Sequence, residues 1–408
     1  MIRLFGTRTV SVSTDRQKIQ ELLTRNVEDV FVKENLEKKL LSGKRLRVKL
    51  GFDPTGAKIH LGRAITLRKL KAFQDLGHEI IFIIGDFTAK IGDPSDKLEK
   101  RPMLTAEEIT KNLATYKKQV GKIIDLKRAT FQYNSSWLSK LKFDEICRLA
   151  ESFSIQQMSA RRNFKERFEK GIEVSLREFF YPLMQGYDSV AVGADIEIGG
   201  FDQLFNLKAG RIIQKHYGMP EQDILTTNML LGTDGRKMST SWGNVINIDD
   251  EPSDMFGKVM SLRDDLLQTY FLLCTDMSAE EAGKMGARIE AGENPRDLKL
   301  DLAEQIVALY WGAMAAVKAR KTFIDTFSLK KIPEEVETIS VNPNTTLVDT
   351  FLGAEIIKSK TEWRRLVDEG AVFDTSSGVK ISNYDEVARG DVTYKIGKKR
   401  FVKISVQS

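Results

Sequence analysis

Four short stretches of this chain carry residues that could do chemistry. The first is Gly51-Phe52-Asp53-Pro54-Thr55-Gly56-Ala57-Lys58-Ile59-His60-Leu61-Gly62-Arg63. It joins a strand-like run, in which Leu46, Val48 and Leu50 alternate, to an amphipathic helix carrying Ile65, Leu70, Phe73 and Leu76. Pro54 and Gly56 mark the turn between them. The first turn of a helix has free N–H groups and a partial positive charge, so it suits an anion such as phosphate. Gly62 lets a ligand approach the backbone, and His60 offers a side-chain hydrogen bond at the same spot. The plain alternative is an ordinary strand-to-helix connection.

The second stretch is Glu178 to Asp188, a helical pattern that Pro182 should start or kink. Tyr181, Gln185 and Asp188 are spaced i, i+4 and i+7, which puts them on one face. A phenol, an amide and a carboxylate in line are costly if buried without partners. They are either an exposed polar stripe or a polar ligand slot. Because Leu183, Met184, Val190 and Val192 bury much of the rest, the slot is favoured. The third stretch, Ala194 to Gln203, reads as a strand, a Gly199-Gly200 turn and a helix start. Asp202 there could hold a hydroxyl pair or simply cap the helix. The fourth, Leu231 to Asn244, is rich in glycine and small hydroxyls and carries Arg236 and Lys237. Its composition predicts a mobile cationic loop, and such loops often clamp phosphates.

These stretches need a scaffold. Glu79 to Gly85 is an unbroken apolar run, as in a strand buried on both faces of a parallel sheet. With the first stretch it makes a right-handed βαβ unit, predicting an α/β fold with a Rossmann-like parallel sheet. Ligands bind outside the carboxyl ends of such strands, which brings Asp53, Asp86 and Asp93 towards one site. Lys97, Lys100 and Arg101 follow in a polar loop that is either solvated or able to close over a phosphate. Thr105 and Glu108 form a capping box opening a helix to about Ile124, and Ala129 to Tyr133 reads as a third strand. Residues 15–45 have a charged helical pattern, and residues 251–330 are helical throughout. Ile332 to Thr346 has little pattern and reads as a linker.

The 408 residues are 41% hydrophobic and 29% charged, enough for two or three domains of a globular protein. Two cysteines, Cys147 and Cys274, imply no disulfide framework, and three scattered histidines imply no zinc cluster. No apolar run is long enough to span a bilayer. Met1 to Thr14 lacks the apolar core of a targeting peptide and reads as a disordered or docking arm. The net charge is +6. From Lys358 to Ser408 there are eleven Lys or Arg against seven Asp or Glu, so +4 of that charge lies in the last small block. A basic terminal module of short helices and strands suits a nucleic-acid partner.

Taken together, the motifs resemble those of a known family. His60-Leu61-Gly62-Arg63, after Asp53-Pro54-Thr55, is similar to the HIGH motif of class I aminoacyl-tRNA synthetases, and Lys237-Met238-Ser239-Thr240-Ser241 is similar to their KMSKS loop. Tyr181 to Asp188 and Gly199-Gly200-Phe201-Asp202-Gln203 resemble the tyrosyl-tRNA synthetases in particular. The final block resembles an RNA-binding fold shared with a ribosomal small-subunit protein. The resemblance implies an arm at 1–30, a catalytic domain at 31–250, a helical anticodon-arm domain at 251–331, a linker at 332–346 and a small α+β RNA-binding domain at 347–408.

The resemblance also implies roles. Asp53, Asp93, Tyr181, Gln185, Asp188 and Gln203 would bind L-tyrosine, with Asp188 reading the phenol and Asp93 and Gln185 meeting the α-ammonium. Thr55, His60 and Gly62 would meet the ATP phosphates, Gly200 and Asp202 the ribose, and Met238 and Ser239 the nucleotide. Lys237, with Lys97 and Arg101, would clamp the pyrophosphate. The implied partners are ATP with Mg2+, tRNA(Tyr) and a second copy of the chain, with no resident metal, no membrane and a cytoplasmic or mitochondrial setting. Two positions depart from the pattern: Arg63 stands where the second His of HIGH is usual, and Thr240 where the second Lys of KMSKS is usual. Arg236 or a bound potassium ion could compensate for the missing loop cation. Two other readings compete: the tryptophanyl enzyme, and an RNA-binding or splicing factor built on a degenerate synthetase.

Overall fold

The computed structural model describes residues 11–95, 104–328, 336–375, 377, 379–389, 392–397 and 400–406. It divides into two compact units, Met1–Ala316 and Val317–Ser408.

The first unit is built on a six-stranded sheet. Its strands are β1 (Val27–Phe31), β2 (Arg47–Phe52), β3 (Glu79–Ile84), β4 (Ala129–Tyr133), β5 (Ile196–Gly200) and β6 (Asp223–Thr227), in the spatial order β1-β6-β5-β2-β3-β4. All neighbours are parallel except β1, which lies antiparallel to β6 at the edge. From β2 the chain moves outward through β3 to β4. It then returns to the other side of β2 to lay down β5 and β6. The border between β2 and β5 is therefore a topological switch point, where α/β sheets open a crevice at their carboxyl ends. The Leu61–Asp75 helix packs against β2, β3, β5 and β6, and the Leu204–His216 helix packs against β5, β6 and the Leu176–Val192 helix. With every position of β3 after Glu79 buried, this strand is a core element, as its apolar run predicts.

Several local expectations change. The segment 15–45 is not helical throughout: β1 lies between the helices Arg16–Thr24 and Lys33–Leu41. Pairing with β6 outweighs local propensity, and most of the stretch expected as an arm is built into the domain. The capping box at Thr105 and Glu108 is present, but its helix ends at Leu113 and a second one, Tyr116–Val120, follows. Pro182 does not start its helix but lies inside it, and the helix runs over Leu176–Val192 from a capping box of Ser175 and Glu178. Glu178 is also held by the buried Arg167 at 2.7 Å, which fixes the start six residues before the proline. Helices Pro252–Met260, Leu267–Cys274, Ala279–Glu290 and Pro295–Trp311 follow the six-stranded sheet, as the helical pattern predicts.

The second unit holds a four-stranded sheet of β7 (Glu337–Val341), β8 (Val372–Asp374), β9 (Val392–Ile396) and β10 (Arg400–Val406), ordered β7-β10-β9-β8. Its core joins Phe351, Trp363 and Tyr394. β7 falls inside the stretch expected as a linker. Five residues there pair in parallel register with β10, a non-local partner invisible to local pattern.

Candidate functional site

A cavity of about 220 Å³ opens at the β2/β5 switch point. Its walls include Asp53, Thr55, His60, Gly62, Arg63, Asp93, Tyr181, Gln185, Gly200, Asp202, Gln203, Lys237 and Met238. All four sequence stretches therefore meet in one place.

Asp53 stands just past the end of β2. Its Oδ1 accepts from the Thr88 hydroxyl at 2.7 Å and its Oδ2 from the Tyr181 hydroxyl at 3.0 Å. Burial pushes its carboxyl up to about 7, against the lowering effect of those hydrogen bonds and of Arg63. Gly85 is required beside it, because a Cβ there would run into Asp53 Oδ1 and the Thr88 hydroxyl.

His60 is the residue before the Leu61–Asp75 helix and has extended backbone. Burial, then Arg63 and Lys237, pull its imidazole down to about 3, so it is neutral at physiological pH. Its Nδ1 is buried without a hydrogen-bond partner. An orphaned ring nitrogen at a helix N-terminus is a group waiting for a ligand. A Cβ at Gly62 would lie 3.1 Å from that Nδ1, so glycine keeps the space open.

Asp93 accepts from the Ser95 amide at 2.9 Å, the Ser95 hydroxyl at 2.5 Å and Gln203 Nε2 at 2.7 Å. Arg161 lies 3.8 Å away, buried over the rings of Phe164 and Phe205. Tyr181 and Gln185 face the cavity from the Leu176–Val192 helix. Gln185 donates to Glu197 at 3.1 Å, and its carbonyl accepts from Lys49 at 2.8 Å. Asp188, one turn further along, is buried and does not line the cavity. It accepts from Trp137 Nε1 at 2.8 Å and Asn134 Nδ2 at 3.3 Å, and burial pushes it up to about 7.

Asp202 is paired with Lys237 at 3.1 Å, which bridges the third stretch to the loop. That loop is laced rather than open. Asn244 donates to Asp234 and to the Lys237 carbonyl and accepts from the Ser239 amide, and Tyr270 donates to the Leu231 carbonyl. Met238 lines the cavity, whereas Ser239 and Arg236 do not. Arg236 is held by Asp234 at 2.6 Å and lies over Trp242. Asp86 also falls outside the cavity, accepting from the Ser135 amide and hydroxyl. Lys97 and Arg101 lie outside the described residues. Among the described residues, no group of three or more His, Cys, Asp or Glu is arranged to hold a metal ion, and no helix is long and apolar enough to cross a membrane.

The sequence reading missed the supporting shell. Lys49 stands between Val48 and Leu50 of the alternating run. Its side chain is in fact fully buried, and it pairs with the equally buried Glu197 at 2.9 Å. A lysine in a central parallel strand was the available signal. Thr88, Asn134, Trp137 and Arg161 gave no local one, because each matters only through a partner distant in sequence.

A family model, tRNA synthetases class I (W and Y), matches residues 41–328. A tyrosine–tRNA ligase from Thermotoga maritima is 41% identical over 94% of this chain and 96% of its own. One from Carboxydothermus hydrogenoformans is 43% identical over 94% of this chain and 97% of its own. The fold is similar to the solved tyrosyl-tRNA synthetase of Archaeoglobus fulgidus complexed with L-tyrosine, with a TM-score of 0.60 at 23% identity over 75% of this chain and all of that one. It is also similar to a C-terminally truncated mitochondrial tyrosyl-tRNA synthetase of Aspergillus nidulans, with a TM-score of 0.62 at 23% identity over 76% of this chain and 93% of that one. The chain belongs to the class I tRNA synthetases of the W and Y family, on its tyrosyl side.

Proposed function

We propose that this protein is a tyrosine–tRNA ligase: it activates L-tyrosine with ATP to tyrosyl-adenylate and passes the tyrosyl group to tRNA(Tyr). One observation carries the reading. A single cavity sets the polar slot of Tyr181 and Gln185 beside the helix N-terminus of His60 and Gly62 and the loop cation Lys237.

The substrate carboxylate attacks the α-phosphate, so no protein nucleophile is needed. The protein contributes position and charge stabilisation. Asp53, Asp93, Gln185 and Gln203 hold the α-ammonium end. The resemblance gives the phenol to Asp188, which stands just behind the cavity wall with acceptor capacity beyond Trp137 and Asn134, so reading the phenol requires the wall to open towards it. A phenylalanine would leave that capacity unpaired, the known basis of discrimination in this enzyme class. Neutral His60 donates to the α-phosphate region. Gly200 and Asp202 hold the ribose, and Lys237 leaves Asp202 for the pyrophosphate. Thr55 and Met238 border the nucleotide, and the resemblance adds Ser239 to it and gives Lys97 and Arg101 a part in holding the pyrophosphate. Mg2+ arrives with ATP as the counter-ion of its phosphates and is discharged with pyrophosphate.

The domain roles follow the same reading: catalysis at 31–250, the anticodon arm at 251–331 and RNA binding at 347–408. Lys358, Lys360, Arg364, Arg365, Lys380, Arg389 and Arg400 are exposed on the last of these, which suits a phosphate backbone. Phe143, Ile155 and Leu176 are 73% to 80% exposed, which supports a homodimer that covers them. The setting is cytoplasmic. The test is ATP–pyrophosphate exchange: it should require tyrosine, and Asp188→Ala should abolish it. Exchange driven only by tryptophan, or tight RNA binding without exchange, would replace this reading with one of its rivals.

A further inference from the structure

We infer that Arg63 is a fixed phosphate-binding cation of this site, doing from the scaffold what the loop position Thr240 cannot do. The inference rests on the ATP-dependent reading above and deepens it.

Arg63 lines the cavity one turn into the Leu61–Asp75 helix, beside His60. Its guanidinium is gripped on several sides. Nη1 donates to the Tyr116 hydroxyl at 2.6 Å and to the Asp53 carbonyl at 3.5 Å, and Nη2 donates to the Thr55 hydroxyl at 2.9 Å. The group also lies 5.5 Å from the centre of the Phe52 ring. All these partners are neutral. Among the described residues, no carboxylate pairs with Arg63 within 4.0 Å, although it is half-buried. The nearby Asp53 carboxylate feels the Arg63 charge but accepts its hydrogen bonds from Thr88 and Tyr181. A half-buried cation held rigid by neutral groups, with no carboxylate in direct contact among the described residues, is arranged for an anion.

The other cations are placed differently. Lys237 is answered by Asp202, and Arg236 by Asp234 away from the cavity. Arg236 is therefore a poor substitute for a second loop cation. Thr240 begins a short turn, Thr240–Trp242, and brings no charge. Arg63 is the remaining described cation on the cavity wall. Its grip means that little ordering remains to be done when a phosphate arrives.

The test is a swap of charge between scaffold and loop. Arg63→Gln should lower kcat/KM for ATP about 100-fold, in the range found for losing one preorganised charge-stabilising donor. Calorimetric binding of inorganic pyrophosphate should weaken in parallel, while tyrosine binding stays within about twofold. Arg63→Lys should retain part of the function. Adding Thr240→Lys to Arg63→Gln should recover most of the loss. The inference is overturned if Arg63→Gln weakens tyrosine and pyrophosphate equally, if pyrophosphate binding is unchanged, or if the loop lysine rescues nothing. Thermal unfolding of each variant identifies any that fail to fold, and Arg63→Lys then carries the comparison. If the wild-type chain shows no tyrosine-dependent exchange, the ligase reading fails on its own, and the pyrophosphate measurements still decide the role of Arg63.

Discussion

Asp53→Asn isolates the strain that the site stores in the absence of substrate. The Asp53 carboxyl has an ordinary value of 3.8 and is pushed to about 7 in the fold, chiefly by burial. Between those two values the folded state keeps a proton that the unfolded state has lost. Stability contributed at this position therefore falls as pH rises from about 4 to about 7, and levels off above. At about 1.4 kcal/mol for each pH unit, the gap makes ionised Asp53 cost the fold about 4 kcal/mol above pH 7. Asparagine keeps an oxygen acceptor for Thr88 or Tyr181 and cannot ionise. Asp188 titrates alike in both proteins and cancels from the difference. Denaturant unfolding of the ligand-free protein, followed by tryptophan fluorescence from pH 5 to pH 8, should show the variant gaining on the wild type by several kcal/mol. Tyrosine binding should weaken in the same variant, since the α-ammonium would lose its carboxylate. Parallel stability curves for the two proteins would refute the reasoning.

Three other perturbations bear on the supporting shell. Gly85→Ala should displace Asp53 and weaken tyrosine binding at least tenfold with ATP binding little altered, read by calorimetry, because the added Cβ collides with the carboxylate and with Thr88. Lys49→Met should cost about 3–5 kcal/mol by leaving Glu197 buried without its counter-charge. Lys49→Met with Glu197→Leu should recover a large part of that in the denaturant midpoint. Asn244→Ala removes bonds to Asp234, Ser239 and the Lys237 carbonyl, each worth about 1 kcal/mol, so the KM for ATP should rise about tenfold while tyrosine binding holds.

The strand–turn–helix of Asp53 to Arg63 was legible because its signals are local: alternation, a proline and glycine turn, then helical spacing. The same holds for β3 and for the Tyr181 and Gln185 face. What escaped was set by partners far along the chain. β1 is a strand because β6 offers an edge, and β7 because β10 does. Asp188 shares a helix face with Tyr181 and Gln185, yet helical spacing fixes direction and not depth. Trp137 and Asn134 occupy it behind the cavity wall. The loop's composition spoke for mobility, while Asn244, Tyr270 and Asp202 tie it down. The charge of Arg63 was visible in sequence, but the neutral grip of Tyr116 and Thr55 on it was not.

The central claim is that one cavity seats tyrosine against the phosphates of ATP. Exchange of labelled pyrophosphate into ATP, measured with each amino acid in turn, tests it most directly. The account predicts exchange with tyrosine, little with phenylalanine or tryptophan, and its loss in Asp188→Ala. Exchange that does not depend on tyrosine, or that survives that substitution undiminished, would contradict it.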